Sequence, residues 1–361
     1  MNCFLKNVII FLTIKKGKKK LKFLLKSFLF LFLIINCIFA FSCADKTKGE
    51  ESFHIHSFVN IKQDAESHWY ECDCGEIRGK EKHVYFEYVC SCGLQTYSSK
   101  LTFEKNADGQ SYSVSSFESG DEMVFIPTAY NLLPVTTISV GAFKDNKSIK
   151  KIVISNGVKF IQDGAFAGCE SLEKIELPES LEKIANGVFE NCKNLKEIDF
   201  PKNLNSLGER ALINCESLLK ISFDRNLSYI GEQAFLGCKS LLKFEVEKHN
   251  EEFKSVNGNL YSKDLKVLIC FANGKNQTNF TIPKGTEKIN DYAFYGNENL
   301  ITLNFPKSVI EIGHKAFYIT NLQAINYTAL KTDWEKINFD GEWLFSKNSV
   351  TVYSNGEEFI L

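Results

Sequence analysis

Apolar positions recur along this chain with a fixed, long period. An aliphatic residue stands at Ile138, Ile161, Ile184, Leu207 and Ile230, each 23 residues after the last, and the same step joins Ile289 to Ile312. Five residues on from each comes a large apolar residue: Phe143, Phe166, Phe189, Leu212, Phe235, Phe294 and Phe317. A period of this length marks a repeat architecture. Inside each unit runs Leu-x-x-Ile-x-Leu, as at Leu172, Ile175 and Leu177, often closed by proline (Pro178, Pro201, Pro306). Residues two apart in a strand share a face. The pattern therefore turns Ile175 and Leu177 inward and Lys174 and Glu176 outward. The Ala-Phe segment predicts a turn or short helix behind that strand. One unit cannot bury its own apolar face, whereas stacked neighbours build a continuous core. The expected fold is a mainly β solenoid of 23-residue units over 135–328. Strand ends at 126, 154, 177, 200, 223, 246, 282, 305 and 327 count nine coils.

One coil is oversized, with 36 residues from Val246 to Ile282. Phe253 is expected to hold its aliphatic register. From Asn257 to Ile269, alternating apolar residues around Lys263-Asp264 predict a β-hairpin. Insertions in one repeat map to one face, often a binding face, which makes Leu260 and Tyr261 candidate binding residues; simple tolerance of a longer coil is the alternative. Residues 98–134 read as an N-terminal hairpin and opening coil. Residues 329–361, with Trp334 and Trp343, read as a cap over the open end of the core or as an aromatic binding site. The outward strand positions form one column of Lys151, Lys174, Glu197, Lys220, Lys243, Thr302 and Ala324, beside another of Val153, Glu176, Asp199, Ser222, Glu245, Asn304 and Asn326. Lysine beside acid largely neutralises itself, and such a face suits a broad polar contact with protein or glycan.

The unit Ile-x-x-x-Ala-Phe-x-x-Cys-x-x-Leu-x-x-Ile-x-Leu-Pro resembles the BspA-like leucine-rich repeats of bacterial cell-surface proteins. Val124-Phe-Ile-Pro through Gly141-Ala-Phe143 resembles the first coil of such arrays, and the Leu260-Tyr-Ser coil a variant within them. The resemblance covers roughly residues 120–330. It implies a leucine-rich repeat solenoid outside the cell, adhesion or protein binding, and no catalytic residues.

Four of the 12 cysteines sit in the repeats, at Cys169, Cys192, Cys215 and Cys238. Their register also accepts Asn146, Asn297 and Thr320. A position shared by Cys, Asn and Thr wants a small group that hydrogen-bonds backbone in a buried turn, not a metal or a nucleophile. A different pattern fills 53–97. Cys72-Asp-Cys74-Gly75 and Cys90-Ser-Cys92-Gly93 form two knuckles, and His54, His56, His68 and His83 lie among them. Four thiolates on two tight turns can close one structural zinc site at Cys72, Cys74, Cys90 and Cys92. The spacing is one residue short of the usual Cys-x-x-Cys, and two disulfides are the rival. A segment this small needs one staple or the other.

The N-terminus decides the compartment. Residues 1–42 carry eight lysines and no acid, and an apolar run from Ser27 to Phe41 ends in Ser42-Cys43. A basic region, an apolar core and a small-residue exit define a secretory signal. Ser42-Cys43 followed by a polar tether over 43–52 resembles a lipoprotein processing site, although Phe41 departs from its usual pattern. This makes Cys43 the expected lipidated residue, placing the protein outside the cytoplasm on a bacterial membrane. An ordinary cleaved signal is the alternative. Without residues 1–42 the chain holds 35 basic and 44 acidic residues, a net charge of −9. That disfavours nucleic acid, which needs a basic surface. No Gly-x-Ser-x-Gly, Gly-x-x-x-x-Gly-Lys-Ser/Thr or His-Glu-x-x-His occurs. The expected protein is a non-enzymatic, lipid-anchored surface protein binding an extracellular protein or glycan. A ligand-free envelope spacer and a ligand-capturing lipoprotein are the alternatives.

Overall fold

The computed structural model describes residue 98 and residues 100–361 in full; before them it describes the backbone of short strands between 42 and 90. The chain divides into two compact units, 1–94 and 95–361. In the first, Asn60–Gln63, Ser67–Glu71 and Ile77–Lys82 form an antiparallel meander. Ser42–Ala44 pairs with Phe53–Ile55, and Tyr85–Phe86 with Val89–Cys90.

The second unit is a β-solenoid of about 11 turns. Its first sheet stacks Met123–Ile126, Lys151–Ile154, Lys174–Glu176, Glu197–Asp199, Lys220–Phe223 and Lys243–Val246 in parallel. The register aligns like with like: Ile152 lies beside Ile175, and Ile198 beside Ile221. Equal 23-residue steps bring each apolar position onto its predecessor. A second sheet runs behind it, from Leu133–Ile138 through Phe160–Ile161, Lys183–Ile184 and Ser206–Leu207 to Tyr229–Ile230. Its rungs are the periodic aliphatics, Ile138 beside Ile161, Ile184 beside Leu207 and Leu207 beside Ile230. The hairpin of Leu101–Lys105 and Tyr112–Phe117 extends that sheet at its N-terminal edge. Between the sheets the rings stack from coil to coil, Phe143 on Phe166 at 5.0 Å and Phe166 on Phe189 at 5.6 Å.

The Ala-Phe segment is a tight turn, and these turns form a third, flanking ladder. The N–H groups of Gly164, Phe166 and Gly168 donate to the carbonyls of Asn186, Val188 and Glu190 at 2.9, 2.9 and 2.7 Å. Arg210, Leu212 and Asn214 repeat this toward Glu232, Ala234 and Leu236. All three bonds point the same way along the array. The backbone at the third donor is left-handed, with φ 73° at Gly168, 60° at Asn191 and 59° at Asn214. Gly and Asn are the residues that tolerate this region, which accounts for their recurrence there.

The array continues beyond residue 328. Asn279–Thr281, Thr302–Phe305, Ala324–Tyr327 and Thr351–Ser354 stack in parallel, and Glu357–Ile360 closes the sheet antiparallel. The segment expected to cap the core or form an aromatic binding site therefore supplies a further coil. Its spacing escaped the 23-residue pattern because a one-turn helix, Lys331–Trp334, lengthens the connection. Trp334 is buried there against Phe305, Tyr327 and Phe359.

Candidate functional site

The strand face of the first sheet presents the two predicted columns. In its N-terminal part charge is paired across coils: Lys151 to Glu176 at 2.9 Å and Lys220 to Glu245 at 2.8 Å. Lys220 and Lys243 flank Glu245 and hold its carboxyl down at about 2. Beyond the oversized coil the same columns lose their charge. Asn304 donates to Thr281 at 3.0 Å and Asn326 to Asn304 at 2.8 Å, a ladder of neutral polar groups. Tyr353 stands exposed at its end.

The oversized coil departs from expectation. It holds three antiparallel strands, Phe253–Val256, Asn259–Ser262 and Val267–Cys270, not one hairpin. The aliphatic register belongs to Leu268, which lies beside Ile289, rather than to Phe253. Phe271 fills the ring position, stacked on Phe294 at 4.8 Å. Leu260 and Tyr261 are both fully buried, at 0% exposure, and offer no contact surface. Neighbours on a strand face opposite sides, and here both sides are core. Leu260 packs into the N-terminal apolar cluster and Tyr261 into the C-terminal one. The middle strand is a wall between two cores.

The cysteine ladder is structural, and its bond is visible. Cys169, Cys192, Cys215 and Cys238 donate from Sγ to the carbonyls of Phe143, Phe166, Phe189 and Leu212 at 3.1 to 3.3 Å. Asn146 and Asn297 satisfy the same turn differently, accepting at Oδ1 from backbone N–H groups two and three residues on. Burial pushes the Cys169 thiol up to about 12 and those of Cys192, Cys215 and Cys238 upward as well. Such thiols are neither nucleophiles nor ligands at neutral pH. Among the described residues no three His, Cys, Asp or Glu side chains gather as a metal site, and no helix is long and apolar enough to cross a membrane. The side chains of Cys43, Cys72, Cys74, Cys90 and Cys92 lie outside the described residues.

Sequence reasoning missed an aromatic row on the turn flank. Tyr295 stacks on Tyr318 at 5.2 Å and 9°, and Tyr318 on the exposed Phe345 at 4.6 Å and 22°. Tyr292 meets Tyr295 and His314 edge-on at 5.7 and 5.6 Å. The signal lay one residue after the core ring, where Ala167, Glu190, Ile213 and Leu236 give way to Tyr295 and Tyr318.

The BspA type leucine rich repeat region matches this chain in six copies over residues 136–263 and 269–352. No curated protein matches it. Among crystal structures, a leucine-rich repeat protein from Eubacterium ventriosum is 21% identical, with 71% of this chain and 72% of that one covered at a TM-score of 0.55. Another from Bacteroides ovatus is 22% identical, with 69% and 67% covered at 0.52. These show a shared fold. The profile spans more than half of the residues, over the coils described above, so the chain belongs to the BspA-type leucine-rich repeat family.

Proposed function

We propose that this is a non-enzymatic binding protein, anchored by lipid at Cys43 to the outside of a bacterial membrane, whose solenoid engages an extracellular protein or glycan. The Cys/His segment serves as a spacer, stapled by one zinc or two disulfides. The observation that carries the reading is the strand face. It spans two successive sheets of the array and changes between them from self-neutralised charge to a neutral hydroxyl and amide ladder. Repeat stacking adds many shallow contacts into one extended surface. Membership of a family of repeat proteins supports binding over catalysis.

Purified protein, presented to a panel of matrix proteins and neutral and acidic glycans, is expected to bind at least one saturably. Replacing Asn304 and Asn326 together by Lys should weaken that binding. Labelled fatty acid should mark wild-type protein but not Cys43→Ala, because stable anchoring takes two or more acyl chains. No binding across the panel, with normal adhesion of a strain lacking the protein, leaves the spacer reading in its place.

A further inference from the structure

The flanking turn ladder breaks at one coil. In the regular coils three N–H groups of each turn donate to the next turn's carbonyls. The corresponding N–H groups of Gln233, Phe235 and Gly237 have no acceptor among the described residues. The cause lies in the sequence. Ile230 and Phe235 are five residues apart, as in every regular coil, but Leu268 and Phe271 are three apart. The shortened turn takes the next coil's carbonyls out of register with those three N–H groups, while its bond to the following turn persists, the Phe271 N–H donating to the Ala293 carbonyl at 2.9 Å. A cleft opens between the turn at 230–236 and that at 290–295, with Ile269, Cys270 and Asn273 on its floor.

Resting on the reading of the array as a protein-binding surface, we propose that this cleft takes an extended peptide of about five residues, which supplies the missing acceptors. Its carbonyls accept from the N–H groups of Gln233 and Phe235. Two observations select a peptide. The free donors fall on alternate residues of one edge, the spacing at which an extended chain presents its own carbonyls. The cleft's charge is one-sided: Glu232 and Asp291 stand exposed at its two walls, and Glu232 has no ion-pair partner among the described residues. This favours a peptide carrying Lys or Arg. Tyr292 and Tyr295 line the far wall, where a side chain of the peptide would rest. Main-chain bonds to an exposed edge with side-chain pockets beside it constitute strand addition.

The test pans a random heptapeptide phage library against the full chain, then titrates the selected synthetic peptide. Wild-type protein is expected to bind a Lys- or Arg-containing peptide, with slowed hydrogen exchange at the amides of Gln233 and Phe235. Inserting Gly-Ala between Cys270 and Phe271 restores the five-residue spacing. It should protect those amides without peptide and reduce affinity at least tenfold. Glu232→Lys, an exposed substitution that leaves the fold alone, should weaken the same peptide at least threefold. The proposal is overturned if no selected peptide slows those amides, or if Glu232→Lys leaves affinity unchanged. It is equally overturned if a panel of oligosaccharides slows them while peptides do not. If the insertion variant still binds the matrix panel as wild type does, the cleft and the strand face are separate, and failure at the cleft leaves the broader reading intact.

Discussion

The cysteine register shows how far single residues can be read. That Cys, Asn and Thr alternate at one position of the repeat pointed to a small group bonding backbone, and the Sγ bonds to the preceding coil's carbonyls are that contact. What the alternation did not reveal is that Asn and Cys bond in different directions. Asn146 accepts from its own turn, whereas Cys192 donates to the coil before. The donor needs a preceding carbonyl in register, which only the stacked structure supplies. Two consequences follow for measurement. The four ladder thiols should resist a thiol reagent such as iodoacetamide in folded protein at pH 8 and react together on unfolding in urea, since burial keeps them protonated. Rapid labelling of the folded array would show that the turns open. Phe189→Ala should cost ~3–5 kcal/mol in chemical denaturation, the usual loss for a buried aromatic, because its ring sits stacked and fully buried between coils.

Among the elements, the regular coils were legible because strand alternation and a 23-residue step together set both the inward face and the partner of each residue. The oversized coil was not. Alternation at 257–269 said hairpin correctly in kind, but a strand that alternates against solvent and one buried on both faces differ in what surrounds them, which the local pattern does not contain. Leu260 and Tyr261 look like an exposed pair in sequence and are a two-sided wall in space. Deleting 257–269 should therefore collapse the circular dichroism signal of the array, not leave it intact. The Tyr261 hydroxyl is buried without a hydrogen-bond partner among the described residues. Tyr261→Phe should thus stabilise the protein by about 1 kcal/mol, read as a higher urea midpoint, since an unpaired buried polar group is a net cost. Beside the wall, Lys275 bonds Asn259 Oδ1 at 2.8 Å and the Asn257 carbonyl, with its ammonium over the Phe271 ring. Desolvation holds its pKa down at about 8, below the ~10.4 of an exposed lysine. Between those values the unfolded chain binds more protons than the folded one, so this group makes stability rise with pH from about 8 to ~10.4. Below that window its cost is fully present. Lys275→Met should lack that rise, measured as wild type minus variant in denaturation midpoints from pH 7 to 10.5; identical profiles would remove Lys275 from the account.

At the scale of the molecule, the wall strand divides one solenoid into two cores. The first cluster runs from Leu101 to Leu260 and Ala272, and the second from Tyr261 to Val352. The first sheet also stops at Lys243–Val246 and resumes as a separate sheet at Asn279–Thr281. What joins the halves is the meander itself: the Phe244 N–H donates to Gly258 at 2.9 Å, Ser255 Oγ to the Phe244 carbonyl at 2.7 Å, and the Gly274 N–H to Leu241 at 2.8 Å. The stability of a repeat array is close to a sum of units and nearest-neighbour interfaces, so a weak interface separates its unfolding into stages. Across a regular junction the coupling includes turn bonds, strand bonds and stacked rings. Across this one the turn bonds are missing, and no ring contact joins Phe235 to Phe271 among the described residues. The junction is therefore where the array should part first. Leu260→Ala removes a side chain from the N-terminal core at the wall, at a cost of ~2–5 kcal/mol, while leaving the C-terminal cluster its own residues. Urea unfolding followed by Trp fluorescence in a Trp69→Phe background reports Trp334 and Trp343 in the C-terminal half, and iodoacetamide labelling of Cys169, Cys192, Cys215 and Cys238 reports the N-terminal half. In Leu260→Ala the cysteine transition should move to lower urea by more than the tryptophan transition does. Two transitions that shift together, still superimposed, would show that the wall transmits the loss and that the solenoid unfolds as one body despite its divided core.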